Sequence, residues 1–139
     1  VDISPAALAV AGENVRRNEV AERVTLIPGD LKHLGGGPFD LVVANPPYIP
    51  DGDLDALMPE VGEFEPRLAL AGGADGLDSY RSLVLQVSSL LNPGGWLLVE
   101  VGAGQAEDVR ALCAEAGLVN LFCREDYAGV PRVVGGQIH

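Results

Sequence analysis

Phe39-Asp40-Leu41-Val42-Val43-Ala44-Asn45-Pro46-Pro47-Tyr48 is the stretch that decides the fold. Its first part is an apolar run that reads as a strand. The two prolines have no N–H to give to a ladder, so the strand must stop at them. They also restrict themselves and the residue before them, which holds the carbonyls around Asn45 and Pro46 in fixed directions. The Asn45 side-chain oxygen adds an acceptor, and the Tyr48 ring adds a flat face. Such an exit suits a planar group carrying an NH2, although the same residues also fit an ordinary Pro-rich strand end. In α/β sheets ligands collect beyond the carboxyl ends of the strands, where this exit would lie.

On the N-terminal side, Ser4-Pro5 is a helix start, with Ser4 capping and Pro5 at the first helical position. Leu8, Ala11 and Val15 then share a face and carry a helix to about Asn18. Val24-Thr25-Leu26-Ile27 reads as a buried strand that ends at Pro28-Gly29-Asp30, and Gly35-Gly36-Gly37-Pro38 breaks the chain before Phe39. On the C-terminal side, the stretch from Tyr48 to Asp78 is a long loop with several Pro and Gly residues, of the kind that is functional or mobile. A helix capped by Asp78 or Ser79 follows, its inner face made by Tyr80, Leu83, Val84, Val87, Leu90 and Leu91. Asn92-Pro93-Gly94-Gly95 stops it. Trp96 to Val101 is the next strand, Gln105 to Ala116 a helix closed by Gly117, and Leu118–Cys123 and Arg132–Ile138 two last strands. The alternation predicts an α/β fold: a mainly parallel sheet covered by helices, with an antiparallel pair at its C-terminal edge.

With 139 residues and 47% hydrophobic content, the chain supports one domain with a real core. No apolar segment approaches the length of a membrane span. The opening Val1-Asp2-Ile3-Ser4-Pro5 has no basic, signal-like run, and Cys113 and Cys123 lack the spacing of a metal or redox pair, so both are expected to be reduced packing residues of a cytoplasmic protein. The net charge is −11 and the nine Lys and Arg are scattered, which disfavours direct nucleic-acid binding. His33 and His139 have no ligand partners in the sequence, and no metal is expected.

Asp2, Asp30 and Asn45 each stand at a predicted strand exit, where neighbouring parallel strands would gather them in one crevice. One carboxylate can take both hydroxyls of a ribose, another can accept from an adenine amino group, and Leu31 can lie on the adenine face. Each acid alone also fits a cap or a turn.

These motifs resemble the class I S-adenosylmethionine-dependent methyltransferases, and within them the HemK-type glutamine N5-methyltransferases of peptide-chain release factors. Asp2-Ile3-Ser4-Pro5-Ala6-Ala7-Leu8 with Asn18 is similar to the family's second cofactor motif, Gly29-Asp30-Leu31 to its adenine-contacting motif, and Val43-Ala44-Asn45-Pro46-Pro47-Tyr48-Ile49 to its substrate motif. Phe64-Glu65-Pro66-Arg67-Leu68-Ala69-Leu70 with Gly76-Leu77 separates this family from the adenine and guanine amino-methyltransferases that share the Asn-Pro-Pro-Tyr sequence. The resemblance implies a Rossmann-like sheet of strand order 3-2-1-4-5-7-6, S-adenosylmethionine as cofactor and a release factor as partner. It implies Asp2 on the ribose, Asp30 and Leu31 on the adenine, and Asn45 on cofactor and substrate. Asn45, Pro46 and Tyr48 become the catalytic set, with Pro47 and Glu65 beside them in the substrate site.

The family's first motif, a strand and Gly-rich turn, and its N-terminal helical domain have no counterpart here, so the chain is expected to be a partial catalytic domain that lacks the sheet's first strand. Gly102-Ala103-Gly104 is not a dinucleotide loop, because Glu107 stands where the third glycine would be; it reads as a turn. Gly135-Gly136-Gln137 spells the tripeptide that release factors present, and in the last predicted strand it reads as chance. A nucleic-acid amino-methyltransferase and a silent methyltransferase-like module that binds a translation factor are the alternatives. The acidic balance and Glu65-Pro66-Arg67 weigh against the first, and the intact Asn-Pro-Pro-Tyr against the second.

Overall fold

Strand β1 runs from Phe39 to Ala44, ending where the prolines withdraw the ladder donors. The computed structural model describes residues 1–56 and 66–139, in two units, Val1–Gly35 and Gly36–His139. Each is taken by itself.

In the second unit, β1 pairs in parallel with β2, Leu91–Glu100, with Ala44 beside Val99. β3, Val119–Glu125, and β4, Pro131–Gln137, form a hairpin whose second strand pairs antiparallel with β2. The resulting order is β1-β2-β4-β3. It matches the last four positions, 4-5-7-6, of the sheet that the resemblance implies. The α/β class and the antiparallel C-terminal edge are as expected, but among the described strands the parallel part is a single pair. The one further strand expected among the described residues, Val24–Ile27, forms no ladder.

Among the described residues, three short helices and one longer one accompany this sheet: α2 (Arg67–Leu70), α3 (Asp78–Val84), α4 (Val87–Leu90) and α5 (Ala106–Glu115). Leu97, Val99 and Val101 alternate inward from β2 and its exit, and meet Tyr80, Leu83, Val87 and Leu90 from α3 and α4 and Val109 and Cys113 from α5 in the core. Burial pushes the Cys113 thiol up to about 11, as suits a packing residue. Cys123 is half-buried in β3. The expected single helix from Asp78 is divided: the chain turns at Leu85, which is 83% exposed, while Gln86 N–H still donates to the Leu83 carbonyl. Most of the predicted inner face survives the break: Tyr80, Leu83, Val87, Leu90 and Leu91 are buried, while Val84 is half-buried. Asn92–Gly95 falls inside β2, yet the register jumps from Phe39 beside Leu91 to Leu41 beside Trp96. Those four residues thus oppose Asp40 alone and bulge out of the ladder, which is how the predicted turn is accommodated. No helix among the described residues is long and apolar enough to cross a membrane.

In the first unit, α1 spans Pro5–Arg17. Ser4 Oγ accepts from Ala7 N–H at 3.2 Å, and Leu8, Ala11 and Val15 form a half-buried face. Val24–Ile27 corrects the expectation of a buried strand: the segment is extended without a ladder, and Val24, Leu26 and Ile27 are exposed. A strand needs a partner, and among the described residues of this unit the one parallel bridge, Asp2 with Pro28, lies just past the segment.

Gly135 and Gly136 lie buried in β4, so the Gly-Gly-Gln sequence is part of the sheet. Gly135 stands opposite Phe122, whose ring occupies the space a Cβ would need. Gly135→Ala is therefore expected to cost about 1–3 kcal/mol of unfolding free energy by overpacking. Urea denaturation followed by tryptophan fluorescence measures it, since Trp96 lies 5.9 Å from Phe122, ring to ring; an unchanged midpoint would mean that the ring yields freely.

Candidate active site

Because β1 and β2 are parallel, their carboxyl ends open at the same edge of the sheet, where Asn45 and Val101 are the first residues beyond the two strands. Asn45 is exposed, Pro46 is buried, and Pro47 and Tyr48 are half-buried. The Asn45 side chain makes no hydrogen bond to the described residues, and none of their N–H groups donates to the Pro46 carbonyl. Two acceptors at the strand exit are thus available to a ligand.

The backbone that follows is tied down from both sides. Ile49 N–H donates to the Leu70 carbonyl (2.9 Å), Gly72 N–H to the Ile49 carbonyl (2.8 Å), and Asp51 N–H to the Gly73 carbonyl (2.9 Å). From the β2 side, Gln105 Nε2 donates to the Tyr48 carbonyl at 2.9 Å while Gln105 Oε1 accepts from Gly102 N–H at 3.1 Å. Gly102-Ala103-Gly104 is the predicted turn, closed by Gln105 N–H on the Gly102 carbonyl at 3.1 Å. The end of β2 is fixed by Tyr80, fully buried on α3, whose O–H donates to the Glu100 carbonyl at 2.8 Å. Burial pushes that phenol's pKa well up, so it remains a donor.

The glycines here make room. Gly76 has φ +77°, and a Cβ on it would run into the Tyr48 carbonyl oxygen. An open cleft of about 360 Å3 borders the motif, lined by Tyr48, Pro50, Asp53, Asp75 and the Gly102–Gln105 turn. Asp75 is committed to Arg81, which it meets at 2.6 Å, and to Leu77 N–H at 3.1 Å. The Arg81 guanidinium, with the Leu77 N–H, lowers the Asp75 carboxyl to about 2. A larger groove of about 480 Å3 between α3, α4 and α5 has mainly aliphatic walls and borders neither strand exit.

The first unit carries the other predicted residues. Asp2 N–H donates to the Ile27 carbonyl (3.2 Å) and Gly29 N–H to the Asp2 carbonyl (3.1 Å), which brings Asp2 next to the Gly29-Asp30-Leu31 turn. Asp2 is exposed; its Oδ1 accepts from Ser4 N–H at 2.8 Å, an Asx-type turn ahead of the Ser4 cap, and its other oxygen has no partner among the described residues. Asp30 and Leu31 are half-buried at the start of a 3-10 turn, Leu31–His33. Glu65 lies outside the described residues. Sequence reasoning missed Gln105 and the Gly72–Gly76 loop as partners of Tyr48; the one available signal was a polar residue directly after a turn at the second strand exit.

No family model matches the chain. It is 52% identical over 139 residues to a release factor glutamine methyltransferase of Geobacter sulfurreducens, covering 99% of this chain and 48% of that protein. It is 48% identical over 132 residues to a release factor glutamine methyltransferase of Rhodospirillum rubrum, covering 95% of this chain and 41% of that protein. Among solved structures, the N-methyltransferase NodS from Bradyrhizobium japonicum superposes with a TM-score of 0.56 at 15% identity, over 99% of this chain and 70% of that one, a likeness of fold. The chain is thus homologous to release factor glutamine methyltransferases and has the class I methyltransferase fold. It spans about half the length of the curated relatives it matches.

Two outcomes follow from this geometry. Gly76→Ala forces a left-handed conformation on a residue with a Cβ and pushes the Tyr48 carbonyl aside, so it should destabilise the protein by about 1–2 kcal/mol or more; a melting temperature equal to wild type would contradict the close approach. Asp75 has a depressed folded pKa, so its contribution to stability is complete above the unfolded value near 3.8 and is lost as pH falls through about 2. Thermal melts from pH 5 to 2 should therefore fall less steeply for Asp75→Asn than for wild type, starting from a lower value at pH 5.

Proposed function

We propose that this chain carries the substrate-holding strand exit of an S-adenosylmethionine-dependent enzyme that methylates N5 of a protein glutamine, the Gly-Gly-Gln glutamine of peptide-chain release factors. The observation that carries it is the Asn45–Tyr48 exit, with its Asn45 and Pro46 acceptors open and its Tyr48 backbone pinned. The names of the relatives supply the substrate class.

An amide nitrogen shares its lone pair with its carbonyl and is a poor nucleophile. Acceptors fixed on its two hydrogens keep electron density on nitrogen and turn it toward the electrophile, and a preorganised array does so without rearrangement at the moment of reaction. In this proposal the Asn45 side-chain oxygen and the Pro46 carbonyl take those hydrogens, Pro47 keeps the loop rigid, and Tyr48 packs on the amide plane. Glu65 completes the substrate site. The nitrogen's proton leaves after the new N–C bond has formed, when it is acidic, so no dedicated base is required.

The residues of the first unit fit the cofactor's polar parts. The unpartnered Asp2 oxygen suits ribose hydroxyls, and the half-buried Asp30-Leu31 pair suits the adenine edge and face. S-adenosylmethionine supplies, when bound, a methyl group made electrophilic by its sulfonium. We read the chain as part of a longer cytoplasmic enzyme, because it covers 48% and 41% of two relatives. The net charge of −11 weighs against a nucleic-acid substrate.

Asn45→Ala removes an acceptor from the reacting nitrogen while leaving an exposed position, so kcat should fall by about 10²–10³ with an unchanged melting temperature. Mass spectrometry of a Gly-Gly-Gln release-factor fragment, incubated with the native gene product that contains this chain, reads the transfer of one methyl group. An Asn45→Ala protein with wild-type kcat/KM would defeat the mechanism.

A further inference from the structure

We infer that Gln105 is a positioning residue for the methyl-accepting site: its side-chain amide ties the exit of β1 to the exit of β2 and thereby sets the direction of the Asn45–Tyr48 acceptors. The inference rests on the methyltransferase reading above.

Gln105 uses both ends of its carboxamide. Oε1 accepts from Gly102 N–H (3.1 Å), and Nε2 donates to the Tyr48 carbonyl (2.9 Å) and reaches the Gly76 carbonyl at 3.4 Å. The amide orientation follows from these partners, since the reverse would set oxygen against two carbonyls and NH2 against an N–H. Among side chains of this length only a carboxamide offers a donor and an acceptor together: Glu is acceptor-only when ionised, Lys has no acceptor, and Asn is one methylene short. The surroundings are cut to this bridge. A Cβ on Gly102 would lie 2.7 Å from Gln105 Oε1 and 2.9 Å from Tyr48 Cδ2, so the glycine lets the amide and the ring edge sit against the turn.

Tyr48 follows Pro46 and Pro47, whose fixed φ angles make the segment stiff. With φ of Pro47 fixed between them, part of any shift of the Tyr48 carbonyl is carried back toward the Pro46 carbonyl. Gln105 makes no contact with the reacting atoms in this scheme, and its effect passes through Tyr48.

The test uses Gln105→Ala and Gln105→Glu in the native gene product, with the Gly-Gly-Gln fragment as substrate and a 13C label on the Tyr48 carbonyl. Gln105→Glu keeps the Gly102 bond and loses the Tyr48 bond. Both variants should shift the Tyr48 carbonyl resonance and lower kcat by about ten- to a hundredfold, the scale of a misplacement near 1 Å. Their affinity for S-adenosylmethionine should stay within about twofold of wild type, because the residues assigned to ribose and adenine are untouched. Gln105→Glu, which sets a carboxylate oxygen against the Tyr48 and Gly76 carbonyls, should lose at least as much kcat as Gln105→Ala. A shifted resonance with unchanged kcat overturns the inference, as does a loss in which cofactor affinity and melting temperature fall in step with kcat. A wild-type protein that transfers no methyl group sinks the function on which the inference rests; a working wild type with equally working variants sinks the inference alone.

Discussion

The parallel register that sets Ala44 beside Val99 is the constraint on which the site depends. Two strands that run the same way finish at the same edge, and the loops leaving that edge must share the space above it. One of them is stiffened by Pro46 and Pro47, the other is turned sharply by Gly102-Ala103-Gly104, and Gln105 bonds across. Had β2 run antiparallel to β1, Gly102 and Gln105 would lie at the opposite edge and Tyr48 would have no partner there. The buried Tyr80 hydroxyl on the Glu100 carbonyl adds a link from the helical layer to the same edge, so the core and the site share one frame.

Much of this frame is legible in the sequence. The apolar run before the prolines gives β1 its bounds, since proline withdraws the donor a ladder needs. Ser4-Pro5 starts α1 at Pro5, and Gly117, at φ +86°, closes the helix before Leu118. Most of the inner face read from Tyr80 to Leu91 is buried even though the helix breaks under it. That break is where periodicity is a weak guide: burial of a stripe needs a run of roughly helical residues, not unbroken hydrogen bonds.

Other features depend on partners that local patterns do not encode. Val24–Ile27 has the composition of a buried strand, but the one bridge in its own unit lies just past it, and composition cannot create a ladder. The parallel part of the sheet is one pair among the described strands because the further strand expected at Val24–Ile27 forms no ladder. At the site, Asn45, Pro46 and Tyr48 announce themselves by unusual residue types in sequence, whereas Gln105 is 57 residues from Tyr48 and looks like any polar residue before a helix. A bond of that separation follows from topology, so topology has to be known before the residue can be found.

The rigidity of the motif also places demands on its neighbours. Two consecutive prolines cannot flex to relieve a poor contact, so close packing against them must be achieved by the neighbours. Gly72 and Gly76 approach the Tyr48 backbone from one loop, and Gly102 meets the Tyr48 ring from the other. Each would collide if it carried a Cβ. The bonds that hold the segment run mostly to main-chain atoms, at Leu70, Gly72 and Gly73, joined by the Gln105 side chain. Their directions are set when the protein folds and do not have to be found when a ligand arrives. Acceptors held in this way suit a reaction whose difficulty is the weak nucleophilicity of an amide nitrogen, because what such a nitrogen needs from its surroundings is a fixed field rather than a mobile base.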